Sequence, residues 1–514
     1  MNGREGKIFS LIIAFLFINS IALIAREEVR PPDLTDLKKV VNELMKDWKV
    51  PGLGIAVVKD GKILLTEGFG LRNVEHGLKV TPQTIFPIAS CTKTFTAVSL
   101  AILVDEGKLK WDIPIKEYLP SLRFSDDYIS NHITLRDLLT HRSGLPQHYR
   151  MYFNRYLTRE EFMERLRFLE SSRGFRETFQ YANLNYMIAA YLLEKVTNGT
   201  WEDFTKEKIF DSLEMKSTNF SISQSQKSSD YALPYREENG KIIQASFLDP
   251  NIMGMGPAGS INSNAHDMAN WLLFHLNNGK YKDRRVISEA CLSETQKPQI
   301  VTPGGMSNDM FYWSYGMGWA ITSYRGHLML GHGGGFDGFS CYVSVLLRDK
   351  IGCAILCDKE GSPVPQVLTR IIYDRLLGLA ELPWNERTKK SLTNSKTSLP
   401  KKEDFPRQQT KLVRPLEVYC GEFEHPAYGM LIIKKERDQL FVAHNGLTSP
   451  LAHLFYDIFE TGDEKFEKFR FSFIFDDKGD INRVEVPFEP TVKAIIFNKI
   501  LKGEKKEKSQ AGNK

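Results

Sequence analysis

The sequence predicts an α/β fold in the broad sense: an antiparallel sheet flanked by helices, with a mostly helical lobe over about residues 105–272, and a second, small all-β unit. Three observations predict it. Two hairpin signatures, residues 53–65 around Asp60-Gly61 and residues 342–357 around Arg348-Asp349-Lys350, supply strands at both ends of one domain. Between them Phe95, Ala97, Val98, Leu100, Ala101, Ile102, Leu103 and Val104 are apolar nearly all round, as in a buried helix, and Gly107 stops it. Near the C-terminus Phe469, Phe471, Phe473 and Phe475 alternate with other residues. Asp477-Lys478-Gly479-Asp480 then turns the chain into Val484, Val486 and Phe488, which makes a hairpin with one buried face.

The first element of the chain is a targeting segment. Arg4 and Lys7 precede an apolar run over residues 8–25, interrupted by Ser10, Asn19 and Ser20 and followed by Arg26-Glu27-Glu28. This reads as a secretory signal over residues 1–25, either cleaved or kept as a membrane anchor, since Leu23 stands where a cleavage site prefers a small residue. In both cases the rest of the chain leaves the cytosol. The 514 residues leave room for two or three domains, and 42% hydrophobic with 25% charged residues is ordinary globular composition. A net charge of +5, without a basic stripe, excludes nucleic acid as an expected partner.

The next element carries chemistry. Ser90 and Lys93 in Phe86-Pro87-Ile88-Ala89-Ser90-Cys91-Thr92-Lys93 stand three apart, on one face of a helix that begins near Ser90. Desolvation presses such a lysine to lose its proton, and the helix N-terminus favours negative charge on the serine oxygen. A second Ser-x-x-Lys, Ser398 to Lys401, has Pro400 in its would-be first turn and polar surroundings, which argues against a buried amine there. Tyr181-Ala182-Asn183 lies in a loop entering a helix over residues 186–196, where a tyrosinate next to a lysine can shuttle protons and an asparagine can hold an acyl group's amide. Gly331-His332-Gly333-Gly334-Gly335 follows an apolar run. Its glycines admit a ligand close to backbone N–H groups, and its histidine offers a donor or base near neutral pH.

These three clusters in this order resemble the serine β-lactamase and penicillin-binding-protein family, in particular its class C β-lactamase, D-aminopeptidase and esterase branch. The likeness extends to Val50-Pro51-Gly52-Leu53-Gly54, to residues 133–145 with Thr140-His141-Arg142-Ser143-Gly144, to Gly256-Pro257-Ala258-Gly259-Ser260 and to Tyr315-Gly316-Met317-Gly318-Trp319. It implies a β-lactamase/transpeptidase-like domain over residues 35–382, with Ser90 as acylated nucleophile, Lys93 as its proton acceptor and Tyr181 as partner in proton transfer. Asn183 would orient the substrate amide. His332, Gly333 and Gly334 stand where the family carries Lys-Thr-Gly, and the N–H groups of Ser90 and Gly335 would form the oxyanion hole. The C-terminal hairpin, with residues 416–423 and 430–433, resembles the small lipocalin-like barrel appended to many members, here residues 415–500. Residues 383–414, rich in Lys, Ser, Thr and Pro, read as a linker, and residues 501–514 as a solvated basic tail.

Histidine in place of the lysine weakens recognition of a substrate carboxylate, which implies an ester or peptide substrate and weak or absent β-lactamase activity. The expected protein is thus a secreted serine hydrolase acting through an acyl-enzyme on a small-molecule or peptide substrate, without metal or cofactor. The competing reading is a non-catalytic binding or assembly protein with the same pocket, and the oligomeric state stays open. An α/β-hydrolase is argued against because Gly338-Phe339-Ser340-Cys341-Tyr342 lacks the last glycine of a nucleophile elbow. His141 and His266 read as structural. Cys353 and Cys357 lie too far apart along one strand to pair with each other, and Cys91 reads as a small packing residue. Asn198-Gly199-Thr200 and Asn219-Phe220-Ser221 are sugar acceptors where the host supplies that chemistry.

Overall fold

A computed structural model describes residues 34–153, 157–247, 255–398, 410–412, 414–462 and 466–501. The expected signal segment, the Ser398-to-Lys401 motif beyond its first residue, and all but the first residue of the basic tail lie outside the described residues.

Helix α1 (Leu37–Asp47) leads into strands β1 (Gly52–Lys59), β2 (Lys62–Asn73) and β3 (Leu78–Lys79). Asp60 and Gly61 join β1 to β2 with φ of 49° and 75°, the pair of positive angles that Asp-Gly is suited to in a tight hairpin. Helices α2 (Thr92–Asp105), α3 (Asn183–Thr197) and α4 (Ala265–Leu276) belong to the long central stretch. Six more strands follow: β4 (Ile300–Val301), β5 (Met310–Tyr315), β6 (Ala320–Tyr324), β7 (His327–Phe336), β8 (Phe339–Leu346) and β9 (Ile351–Cys357). The nine strands form one antiparallel sheet in the order β4-β5-β6-β7-β8-β9-β1-β2-β3.

The two predicted hairpins meet in the middle of that sheet, where β1 pairs with β9 from Leu53↔Cys357 to Lys59↔Ile351. Side chains alternate between faces along a strand. Ala56, Val58, Val343, Ala354 and Leu356 join the core beneath α2 and α4, whereas Leu53, Ile55, Val57, Cys353 and Ile355 join a second core beneath α1 and α5 (Val364–Leu376). Both faces are covered, so β1 and β9 read as unbroken apolar runs. Helix α2 is buried from Thr92 to Leu103 and lies between the sheet and the lobe, with Phe95 stacked on Trp271 of α4 at 3.8 Å between ring centroids.

The segment expected as a linker is in part a docked helix, α6 (Trp384–Ser398). Its composition is polar because it touches the domain mainly through its first turn. Trp384 is buried, its Nε1–H donates to Asp374 Oδ2 at 2.8 Å, and the guanidinium groups of Arg370 and Arg387 lie over its ring. Asp374 is fully buried and also accepts from Tyr324 Oη at 2.6 Å and Arg325 at 2.8 Å. Asp374→Ala leaves these donors without their acceptor and is expected to destabilise the domain by about 3 kcal/mol, read as a lowered midpoint in urea.

The C-terminal unit is a closed barrel of eight antiparallel strands, from Gly421–His425 to Ile495–Lys499, sealed by pairing of the first and last at Phe423↔Lys499 and Glu424↔Asn498. The predicted hairpin is there as Arg470–Phe475 and Ile481–Val486. Phe471, Phe473, Val484 and Val486 point inward with Phe423, Phe459 and Phe497, which fill the interior with aromatic side chains.

Candidate active site

Ser90 sits in a single turn of 3-10 helix, Ala89–Cys91, at the head of α2. Ala89 before it has a φ of 46°, a left-handed conformation that costs an alanine roughly 1–2 kcal/mol. The surrounding contacts hold this strain, and Ser90 itself keeps part of its surface open. Lys93, one turn on, is completely buried. Its Nζ lies 3.2 Å from Ser90 Oγ, 2.8 Å from Asn183 Oδ1 and 2.8 Å from the Ala258 carbonyl.

The last two contacts are acceptors only, so they consume two amine hydrogens and turn the remaining direction toward Ser90. None of the three carries a charge. Burial therefore acts with little opposition and pulls the Lys93 ammonium down to about 7. A lysine so placed is half free amine near neutral pH, and its lone pair faces the serine hydroxyl.

Tyr181 lies beside this pair, its phenol next to the Ser90 side chain and its ring centroid 4.9 Å from Lys93 Nζ. Burial raises the Tyr181 phenol well above its ordinary range. The resting group is a phenol and not the tyrosinate expected, so any proton relay through it requires that it accept one proton as it gives another. Asn183 is the first residue of α3, which starts three residues earlier than its apolar pattern predicts. The Asn183 N–H donates to Gln147 Oε1 at 3.1 Å, and its side-chain Nδ2 reaches Met255 Sδ at 3.5 Å.

His332 lies on β7 beside this group but differs from the expected near-neutral base. Burial, reinforced by the charge of Lys93, lowers it to about 3. Its Nδ1–H donates to the Gly333 carbonyl at 2.7 Å, which leaves Nε2 to accept from Tyr315 Oη at 3.0 Å. The ring is neutral, with both nitrogens engaged.

Along β7 the glycines face alternately. Gly334 meets the nucleophile's turn at backbone contact: a Cβ there would stand 2.2 Å from the Ile88 carbonyl and 2.4 Å from Cys341 Sγ. Two thiols tie the same seam, Cys341 donating to Ile88 O at 2.9 Å and Cys91 to His332 O at 3.1 Å. Gly333 faces the other side of the sheet, toward Gln366, and Gly335 is exposed with open space where a side chain would go. Gly318, with a φ of 82°, lets the β5–β6 turn lie on the backbone of Lys93, where a Cβ would stand 2.8 Å from the Lys93 carbonyl.

The fold thus gathers Ser90, Lys93, Tyr181, Asn183 and His332 from α2, the start of α3 and β7. Sequence reasoning missed several neighbours. His141, read as structural, is fully buried with its ring 4.4 Å from that of Tyr181. Its Nδ1 accepts the Ala182 N–H at 3.2 Å, which pins the loop between Tyr181 and Asn183, and its Nε2 has no hydrogen-bond partner among the described residues. The Ala258 carbonyl leaves no trace in residue type, because any residue supplies one. Tyr315 hydrogen-bonds His332, a role that its residue type alone does not distinguish from packing.

Comparison with known proteins agrees with this fold. The β-lactamase family model matches residues 37–376, and a model described as a domain of unknown function, DUF3471, matches residues 406–499. "Unguisins hydrolase ungD'" of Aspergillus campestris is 28% identical over 453 residues, covering 81% of this chain and 80% of that protein. "Protein flp" of Staphylococcus aureus is 25% identical over 344 residues, 65% of this chain and 64% of its own length. Among solved structures, an octameric penicillin-binding protein homologue from Pyrococcus abyssi superposes with a TM-score of 0.60 at 25% identity, covering 91% of this chain and all (100%) of that one. A class C β-lactamase from Rhodobacter sphaeroides has a TM-score of 0.52 at 20% identity, over 66% of this chain and 97% of that one, and shares the fold. A match over most of the sheet-and-lobe domain, with a serine, a lysine and a phenol in mutual contact at its centre, makes this chain a member of the β-lactamase family of serine hydrolases.

Proposed function

We propose that this protein is an exported acyl-transfer hydrolase that opens ester or amide bonds through a covalent intermediate on Ser90. In this reading the free amine of Lys93 takes the hydroxyl proton as Oγ adds to the carbonyl carbon. The tetrahedral oxygen is held by the backbone N–H groups of Ser90 and Gly335, and Tyr181 passes a proton to the leaving group. Water then adds to the acyl carbon by the reverse relay and frees the acid. The carrying observation is the 3.2 Å contact between Lys93 Nζ and Ser90 Oγ, with the other two contacts of the amine spent on pure acceptors.

The substrate class rests on charge. With His332 neutral, the position that carries a lysine in β-lactamases offers a substrate carboxylate no fixed charge, which favours esters and peptide amides over penicillins. Export rests on the apolar run after Arg4 and Lys7. The deciding experiment is peptide mapping after exposure to a fluorophosphonate, with parallel assays on p-nitrophenyl esters, D-amino-acid amides and a cephalosporin. One adduct on Ser90, ester or amide turnover and slow cephalosporin opening are expected. An adduct elsewhere, or none on folded protein, refutes the nucleophile; fast cephalosporin turnover refutes the substrate class.

A further inference from the structure

The barrel touches the lobe at Arg165, which donates to the Pro426 and Ala427 carbonyls at 3.2 and 2.7 Å, and along the segment at residues 148–150, which adjoins the wall behind Asn183. Gln147 accepts the Asn183 N–H at 3.1 Å, and the Tyr152 hydroxyl, next to the Asn183 side chain, donates to Gln147 Oε1 at 3.4 Å. The residues between them are held from the opposite side. The His148 N–H donates to Glu489 Oε2 of the barrel at 3.0 Å. Its Nε2–H donates to the Glu170 carbonyl of the lobe at 2.8 Å, which leaves Nδ1 to accept from Tyr428 Oη of the barrel at 2.9 Å.

Two residues on, Arg150 is buried, donates to the Phe466 carbonyl at 2.6 Å and lies over the rings of Phe466 and Phe469, while its own carbonyl accepts from Asn445 at 2.9 Å. Among the described residues, the side-chain partners of His148 and Arg150 other than Glu170 and Phe153 come from the barrel. His148 also has a φ of 43°, a left-handed conformation that a free loop would relax.

We propose that the barrel positions the active site: it clamps residues 148–150, and thereby holds Gln147 and Tyr152 against Asn183, whose Oδ1 in turn fixes the amine of Lys93. Glu489, Tyr428, Gln147 and Tyr152 are positioning residues in this scheme. None of them touches the reacting atoms. The barrel interior is packed with aromatic side chains, so its contribution lies in its outer surface and not in a cavity of its own. The effect on rate rests on the role proposed above for Lys93; the physical coupling does not.

The test uses the full chain with Glu489→Ala and, as a milder change, Tyr428→Phe, which removes one hydroxyl and keeps the ring packing. Amide exchange is followed in the peptide that starts α3, and acylation by a p-nitrophenyl ester is followed in parallel with Gln147→Ala and the Glu489→Ala/Gln147→Ala double variant. Faster exchange at the Asn183 amide is expected in both barrel variants, with exchange in β1 and β9 unchanged. Acylation is expected to fall about tenfold in Glu489→Ala and in Gln147→Ala, with the double variant no worse than the slower single one, since both act through one contact. Unaltered exchange at Asn183 in both barrel variants, or rate losses that multiply, overturns the proposal. If wild type forms no acyl-enzyme, the proposed function falls and the exchange measurement alone decides the clamp.

Discussion

Lys93→Met is expected to slow acylation of Ser90 by about 10²–10⁴-fold, the range that a positioned general base contributes. Methionine keeps the length and the burial but has no lone pair of comparable basicity. In wild type the acylation rate should climb with pH through about 7, as the ammonium gives way to the amine, and level off above. The variant should lose that limb along with the rate. A flat wild-type profile between pH 6 and 8 would remove Lys93 from the role of base.

The same lysine leaves a mark on stability. Its folded value of about 7 lies below the 10.5 of an unperturbed lysine, so between those values the unfolded chain binds more protons than the folded one. Stability of wild type relative to Lys93→Met therefore rises with pH across that window and is flat below it. Urea midpoints of the two proteins at pH 6.5 and 9 check the sign, which is opposite to that of a lysine held by a carboxylate.

Gly334→Ala is expected to cost about 10²–10³-fold in acylation, comparable to the loss of an oxyanion donor, together with about 1–3 kcal/mol of stability. The added methyl would stand 2.2 Å from the Ile88 carbonyl, and a backbone oxygen cannot swing aside as the end of a long side chain can. Strand β7 must then retreat from the turn that holds Ser90, and the N–H of Gly335 moves with it. Gly333→Ala is the control, because its methyl would point to the far face of the sheet at an ordinary 3.7 Å from Gln366. Equal losses in acylation rate for the two variants would show that the seam between β7 and the nucleophile's turn has no special importance.

Much of this architecture is legible in one dimension, for reasons that differ from element to element. The Asp60-Gly61 turn, the all-apolar α2 and the alternating phenylalanines of the barrel are local patterns, set by backbone angles and by the period at which side chains reach a core. The Ser90–Lys93 pair is local too, since one helical turn brings the groups together wherever the helix lies. Helix α6 escaped such reading because a helix docked by one buried residue, Trp384, and by polar contacts of Asn385, Arg387 and Lys389 has the composition of a linker.

The residues taken alone determined the identity and spacing of the candidate site residues, Ser90, Lys93, Tyr181, Asn183 and His332, and the family pattern that orders them. Only the tertiary structure decided their protonation and their supports: a lysine drawn toward neutrality, a phenol kept protonated, an imidazole held uncharged, and a barrel braced behind Asn183. The physical reason is that charge state depends on how much water and which dipoles surround a group. Those surroundings come from carbonyls and side chains far away along the chain, such as Ala258 and Glu489, which no local pattern announces.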